Sequence, residues 1–349
     1  MIDIKLLEQL CLCNGISGDE GNVRNLIINE IKDCADDIKT DNLGNLIVFK
    51  KGKKSAKSKL MVSAHMDEVG LMVTDITSDG YLKFDEVGGI DRRVLPGKRV
   101  CVGRNGLNGV IGVKPIHLTN GDEKTAVPKM SDMYIDIGAE SREDALKYVN
   151  YGDGINFEGD FKINGKTVVT KALDDRFGCY VLINLIKSEP EYDMYFTFVV
   201  QEEVGLRGAR PAAFTVNPDF ALVIESTTAA DVAEVDASHQ VCNLSKGATV
   251  TVMDRATVYD KEMISAAFEL AEKNNIAVQY KRAVAGGNAS GAIHQSRGGV
   301  RTLAVSLPSR YIHAPSTAAN LDDCESVLKL AKVLSDYIEG GNLAKGKTV

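Results

Sequence analysis

The amino-acid sequence predicts an α/β protein, a mixed β-sheet sandwiched by helices, with a small β-rich barrel domain inserted into it. Three observations carry that expectation. Apolar, β-branched runs alternate with helical stripes over residues 1–68 and again over 160–349, the pattern of strands and helices that cover both faces of a sheet. Between them, over 69–159, short strand-like segments are separated by Gly and Asn turns, the texture of a small β domain. Several apolar runs of the flanking parts also end abruptly in histidine or carboxylate residues.

The elements follow in order. Ile4, Leu7, Leu10 and Cys11 form a helical stripe with Gly15 as its stop. Ser17-Gly18-Asp19-Glu20 reads as a capping box, Ser17 at the N-cap and Glu20 reaching back. It opens a helix through Val23, Ile27, Ile31 and Cys34. A turn over 41–45 leads to a strand at 46–49. After an exposed lysine-rich loop over 50–59, a buried strand at 60–64 ends in His65. Within 69–159, turn signals recur at Asp79-Gly80, Gly88-Gly89, Pro96-Gly97 and Asn105-Gly106. Only 141–149 reads as helix there, with Ser141 as N-cap. From 160 the α/β texture returns. Strands are expected at 167–170, 192–200, 220–224, 246–253, 276–280 and 302–307. Helices are expected after Asp174-Asp175-Arg176, over 207–215, over 260–274 and over 321–338. Asp322 suits the positive N-terminal end of the last helix dipole.

Composition excludes several classes. The 349 residues are 44% hydrophobic and 26% charged, ordinary for a globular protein with a sizeable core. The net charge is -7, and the only dense run of lysines is the 50–59 loop, which argues against nucleic acid as a partner. No apolar run approaches the ~20 residues that span a bilayer, so no membrane association is expected. No leader is expected at the start, Met1-Ile2-Asp3-Ile4-Lys5. Seven scattered cysteines form no Cys-x-x-Cys pair, which points to free thiols and a cytoplasmic setting. No Gly-Lys-Ser/Thr follows the glycine-rich 286–291 loop, and no Gly-x-Ser-x-Gly elbow occurs. A phosphate cradle and a serine nucleophile are therefore not expected.

Ligands of α/β sheets gather at the carboxyl ends of the strands. His65, Asp174, Glu203, Glu225 and His313 each stand just past an apolar run, so one sheet would bring them to one edge. Two imidazoles and three carboxylates suffice for two first-row divalent ions such as Zn, Co or Mn; the missing thiolates argue against a structural zinc site. A shared carboxylate would hold the ions about 3.5–4 Å apart, and water between them would lose a proton near neutral pH. Glu202-Glu203 ends the run at 198–200 and precedes a Gly205-x-x-Gly208 turn. At a strand end two adjacent carboxylates can approach one cleft, one as ligand and the other moving protons. His117, His239 and His294 read as loop, surface or packing residues.

Four segments then carry a resemblance: Ala64-His65-Met66-Asp67-Glu68-Val69-Gly70, Lys171-Ala172-Leu173-Asp174-Asp175-Arg176-Phe177-Gly178, Val200-Gln201-Glu202-Glu203-Val204-Gly205-Leu206-Arg207-Gly208-Ala209 and Arg310-Tyr311-Ile312-His313. In type and order the chain resembles, over essentially its whole length, the TET-type co-catalytic metallo-aminopeptidases. That family also holds proteins labelled glutamyl aminopeptidase or cellulase M. The resemblance implies a zinc-peptidase-like catalytic domain over 1–68 and 160–349, with 69–159 as an inserted oligomerisation domain. It implies two divalent metal ions per subunit (Zn, Co or Mn). His65 and His313 would each bind one ion, Asp174 would bridge them, and Glu203 and Glu225 would each add a ligand to one of them. Glu202 would be the general base, Asp67 would hold the other nitrogen of His65, and the Asp174–Asp175 peptide would be cis. The implied activity is removal of residues from short peptides with a free N-terminus, a metal-bridged water acting as nucleophile. The implied assembly is a homo-oligomer, from dimer to tetrahedral dodecamer.

Two positions depart from the family's pattern. Position 225 most often carries Asp, and position 289 often does; here they are Glu225 and Ala289. Glu225 keeps a carboxypeptidase or an amide deacylase open as the alternative. A non-catalytic peptide-binding subunit is a further one. A glycosidase is disfavoured, because such enzymes use two carboxyls without metals.

Overall fold

A computed structural model describes residues 2–346. Met1, the first residue of the start read above as leader-free, and residues 347–349 lie outside them. The large sheet runs, edge to edge, through Asp37–Thr40, Leu46–Lys50, Met194–Val199, Leu60–His65, Phe220–Thr228, Arg301–Arg310, Thr317–Asn320, Thr167–Thr170 and Lys162–Asn164. Ala248–Val250 pairs with Arg301–Arg310 and carries Val278–Tyr280 on its other side. The four central strands from Met194–Val199 to Arg301–Arg310 are mutually parallel. Every residue of Leu60–His65 is buried, which requires cover on both faces and explains a continuous apolar run where an exposed strand would alternate. Helices Leu173–Lys187 and Leu321–Glu339 pack on these central strands, and Ile4–Leu12 and Gly21–Ile31 pack on Leu173–Lys187 in turn.

Residues between the first and second parts of this sheet close a barrel of antiparallel strands: Gly70–Ile76, Leu82–Val87, Tyr134–Asp136, Leu107–Gly112, Arg99–Val102 and Gly154–Phe157, which returns to Gly70–Ile76. Leu71, Ile76, Leu82, Val100, Ile135 and Ile155 fill a core separate from that of the large sheet. The fold is thus the mixed α/β sheet with a small barrel that the strand and turn patterns led us to expect.

Two local expectations are corrected, and one strand is added. Ser17 does not cap a helix: the helix starts at Gly21 with Glu20 at its N-cap and no side-chain cap bond. Ser17 instead donates to Asp67 Oδ2 at 2.6 Å, and Glu20 accepts from Gly18 N at 2.7 Å and Gln201 N at 3.1 Å. A long-range demand for polar partners outcompetes the local cap. The helix expected over 141–149 is one turn, Arg142–Ala145, capped by Ser141 as expected. Edge strand Asp37–Thr40 was not foreseen, because its residues are mostly exposed and polar. Among the described residues no helix is long and apolar enough to cross a membrane.

Candidate metal centre

The carboxyl ends of the parallel strands deliver the site. Leu60–His65 ends at His65, Met194–Val199 runs into Glu202 and Glu203, Phe220–Thr228 carries Glu225, and Arg301–Arg310 leads to His313. Asp174 comes from the start of helix Leu173–Lys187, and the peptide joining it to Asp175 is cis. The chain leaves its regular elements through left-handed residues at Ala172, Gln201 and His313. Such conformations are costly for residues with a Cβ and cluster where a site demands them. Gly208 is required by contact: a Cβ there would lie 2.4 Å from the Val200 carbonyl oxygen and 2.3 Å from Asn45 Oδ1. Gly178 is required in the same way, its Cβ falling 2.3 Å from Asp175 Oδ2.

Five side chains converge as two groups. His65, Asp174 and Glu225 form one; Asp174, Glu203 and His313 form the other, and within each the ligand atoms lie within 4.8 Å of one another. Asp174 Oδ1 is 3.4 Å from His65 Nε2, while its Oδ2 is 3.4 Å from His313 Nε2. The two oxygens of one carboxylate therefore face different groups. Glu225 Oε2 stands 3.6 Å from His65 Nε2, and Glu203 Oε1 stands 3.2 Å from His313 Nε2. Glu202 belongs to neither group. His117 and His239 are exposed, and His294 is half-buried with Nδ1 2.8 Å from the Ser290 carbonyl oxygen.

Asp67 stands at the second ring nitrogen of His65 with its main chain as well as its side chain. Nδ1 of His65 lies 3.0 Å from the Asp67 carbonyl oxygen and 3.6 Å from its carboxylate. The carboxylate also serves the neighbouring turn: it accepts from Glu202 N at 3.0 Å, Glu203 N at 3.1 Å and the Ser17 hydroxyl. Asp67 therefore holds both glutamates of the turn at the cleft. Partners that residue-type patterns missed are mostly main-chain. The Gly89 carbonyl oxygen, from the turn after barrel strand Leu82–Val87, lies 3.0 Å from His313 Nδ1. Ala289 N lies 3.4 Å from Glu225 Oε1.

Electrostatics describe a site short of positive charge. Burial pushes Glu202 up to about 8; nearby Glu203, Asp67 and Asp174 add to the rise and His65 opposes it. Burial likewise raises Glu203 and Glu225. Burial pulls His313 down, but Asp174 and Glu203 outweigh it and raise the imidazole to about 11. His65 also ends well above its ordinary value, through Asp174 and Asp67 against its burial. Asp174 Oδ1 is buried and has no hydrogen-bond partner among the described residues. A carboxylate between two imidazoles, one of its buried oxygens lacking a hydrogen bond, with more carboxylates than neighbouring cations, is the donor chemistry that divalent ions satisfy. The residues fit such ions.

A parallel sheet edge with this donor set is suited to divalent metal ions. A family model described as M42 glutamyl aminopeptidase matches residues 44–330, and the chain belongs to that family. It is accordingly a hydrolase acting on peptide bonds. A protein of Acetivibrio thermocellus is 43% identical over 93% of this chain and 96% of its own length. A lysyl aminopeptidase of Pyrococcus furiosus is 33% identical, covering 97% of this chain and 98% of the relative. The solved TET1 peptidase of Pyrococcus horikoshii, which can assemble into a tetrahedron or a large octahedral shell, has a TM-score of 0.83 at 39% identity over 95% of this chain and 98% of its own.

Proposed function

We propose that this protein is a dinuclear metal-dependent aminopeptidase that removes residues one at a time from the free N-terminus of short peptides. The observation that carries the reading is the paired geometry, two His–carboxylate groups that share Asp174. His65, Asp174 and Glu225 would hold one ion, and Asp174, Glu203 and His313 the other. Zn, Co and Mn all suit these donors. When bound, such ions polarise a scissile carbonyl and make water acidic enough to attack near neutral pH.

The protein's own groups supply the rest. Glu202, outside both donor groups and held at the cleft beside them, is the general base. It takes the proton of the attacking water and delivers it to the departing amine. Asp67 is a positioning residue: through the amides of Glu202 and Glu203 it aims base and ligand from one turn. The barrel at 69–159 is read as an inserted domain that mediates self-association, and 1–68 with 160–349 as the catalytic domain. The Pyrococcus horikoshii assembly supports a homo-oligomer, from dimer to tetrahedral dodecamer. Seven free cysteines support a cytoplasmic setting.

Glu225 favours a second reading, a carboxypeptidase or amide deacylase. Metal-stripped protein reloaded with Co or Zn, offered matched unblocked and amino-blocked peptides, separates the two. Stepwise cleavage of unblocked peptides alone is expected. Cleavage of blocked peptides overturns the aminopeptidase in favour of the second reading.

A further inference from the structure

Glu225 divides its two carboxylate oxygens between two tasks. Oε2 faces His65 Nε2 at 3.6 Å within the donor group, while Oε1 accepts from Ala289 N at 3.4 Å. Among the described residues that amide is the hydrogen-bond donor to this carboxylate. The orientation of a buried glutamate therefore depends on where one main-chain N–H stands, as metal-binding carboxylates commonly depend on the groups behind them.

That N–H belongs to a clamped segment. Ala289 lies in the glycine-rich 286–291 loop, just before the one-turn helix Ser290–Ile293. A turn over 254–259 grips the loop. Arg255 N donates to the Gly286 carbonyl oxygen at 3.0 Å. Gly291 is required by contact with the turn, since a Cβ there would fall 2.7 Å from the Ala256 Cβ. At the polar centre of the grip is Tyr259. Its hydroxyl oxygen lies 2.6 Å from Asp254 Oδ2, 3.0 Å from Asn288 Nδ2 and 3.2 Å from Asn288 Oδ1. A phenol has one hydrogen to give. The shorter, charge-assisted bond takes it, so Tyr259 donates to Asp254 and accepts from the Asn288 amide group. Burial, with Asp254 beside it, raises the phenol above its ordinary value and keeps that hydrogen in place. Asp254 is held in turn by the amides of Ala256 and Thr257, each at 2.8 Å.

The bonds end on either side of Ala289. Asn288 precedes it, and Asn288 Oδ1 accepts from Ser290 N, the amide that follows it, at 2.9 Å. Asp254, Tyr259 and Asn288 are all buried. Without competing water such a network holds one geometry, and losing a member disturbs the rest.

We infer that Tyr259 is a positioning residue for the metal centre: through Asn288 it sets the Ala289 amide, which turns Glu225 toward the ion of the His65 group. The inference rests on the two-ion reading and adds to it a residue outside both donor groups. Tyr259 takes no part in proton transfer.

The test titrates Co into metal-stripped, full-length protein by calorimetry, so its readout is binding and not turnover. Glu225→Gln identifies the binding step of the His65 group, and Glu203→Gln that of the His313 group. Tyr259→Phe keeps the ring and removes the hydroxyl. It should weaken the step that Glu225→Gln weakens by about 10-fold, the lower end for a partner that orients a metal ligand, and leave the other step unchanged. Asn288→Ala breaks the same bond from its other side and should weaken the same step, which keeps the test available if Tyr259→Phe does not fold. On a Glu225→Gln background, Tyr259→Phe should change neither step by more than about twofold, because the carboxylate it orients is gone. Two ions in wild type with both affinities kept in Tyr259→Phe and Asn288→Ala overturn the inference alone. Equal weakening of both steps, or weakening of the Glu203 step, marks the network as merely structural and also overturns it. Fewer than two ions in wild type remove the paired centre and this inference with it.

Discussion

Two clusters of buried charge sit side by side at one sheet edge and are built on opposite principles. In the first, Glu68 is neutralised by the protein itself. Lys171 Nζ lies 2.8 Å from Glu68 Oε1 and Arg176 Nη2 lies 3.2 Å from it, all three side chains being almost fully buried. Arg176 also donates to the carbonyl oxygens of Met66 and Leu10, each at 2.7 Å, and of Gly15 at 3.1 Å. Every charge there has a partner, and the cluster locks the start of the chain to the strand that ends in His65. In the second, Asp174, Glu202, Glu203 and Glu225 gather round His65 and His313, among the described residues no lysine or arginine forms an ion pair with them, and Asp174 Oδ1 has no hydrogen-bond partner there. The closed cluster is architecture. The open one is a donor set that divalent cations fit.

That contrast can be broken in graded steps. The largest effect is expected from Glu202→Gln, which removes the proton carrier and leaves both donor groups intact. Turnover should fall at least ~10²-fold while metal uptake stays at the wild-type stoichiometry. Near-normal turnover would contradict the role of Glu202. Next comes the closed cluster. Glu68→Gln leaves Lys171 and Arg176 uncompensated, and breaking a buried pair from one side costs about 3–5 kcal/mol. Denaturant titration of the metal-loaded protein should register it, and a change below about 1 kcal/mol would mean that the cluster is not held by charge.

The open cluster should respond to ions, not to substitution alone. Chelation should lower Tm, and returning Zn or Co at a hundredfold excess over Kd should restore about 2.7 kcal/mol of stability per bound ion. A Tm blind to both treatments would mean that the carboxylates are satisfied without a cation.

Glu339 is a buried carboxyl with neither device. Neither oxygen has a hydrogen-bond partner among the described residues, and burial, with Asp336 and Asp193 nearby, pushes it up to about 10. The folded form keeps the proton that the unfolded chain releases near pH 4.5. Its contribution is therefore complete below pH 4.5 and is lost progressively up to about pH 10. Glu339→Gln should flatten that decline by at most about 1.4 kcal/mol per pH unit. Identical pH slopes in mutant and wild type would show that Glu339 ionises freely.

How much of this was legible beforehand depends on what each feature is made of. Strand-end chemistry is written in residue types, so His65, Asp174, Glu203, Glu225 and His313 could be named from the sequence, and the sheet does gather them. The barrel was legible because Gly and Asn turns punctuate short runs. Ser17 misled because a capping box is a local pattern, and its hydroxyl answers a partner 50 positions away. The polar edge strand Asp37–Thr40 carries no apolar alternation to reveal it. Main-chain contributions such as the Gly89 carbonyl and the Ala289 amide leave no mark in residue type.

The most direct measurement is a metal count. Metal-stripped protein is titrated with Co by calorimetry, and bound metal is read by elemental analysis after desalting. Two ions per chain are expected in wild type, with Asp174→Ala losing both and Glu202→Gln losing neither. One ion or none in wild type, or two ions retained by Asp174→Ala, would contradict a centre built on a shared carboxylate.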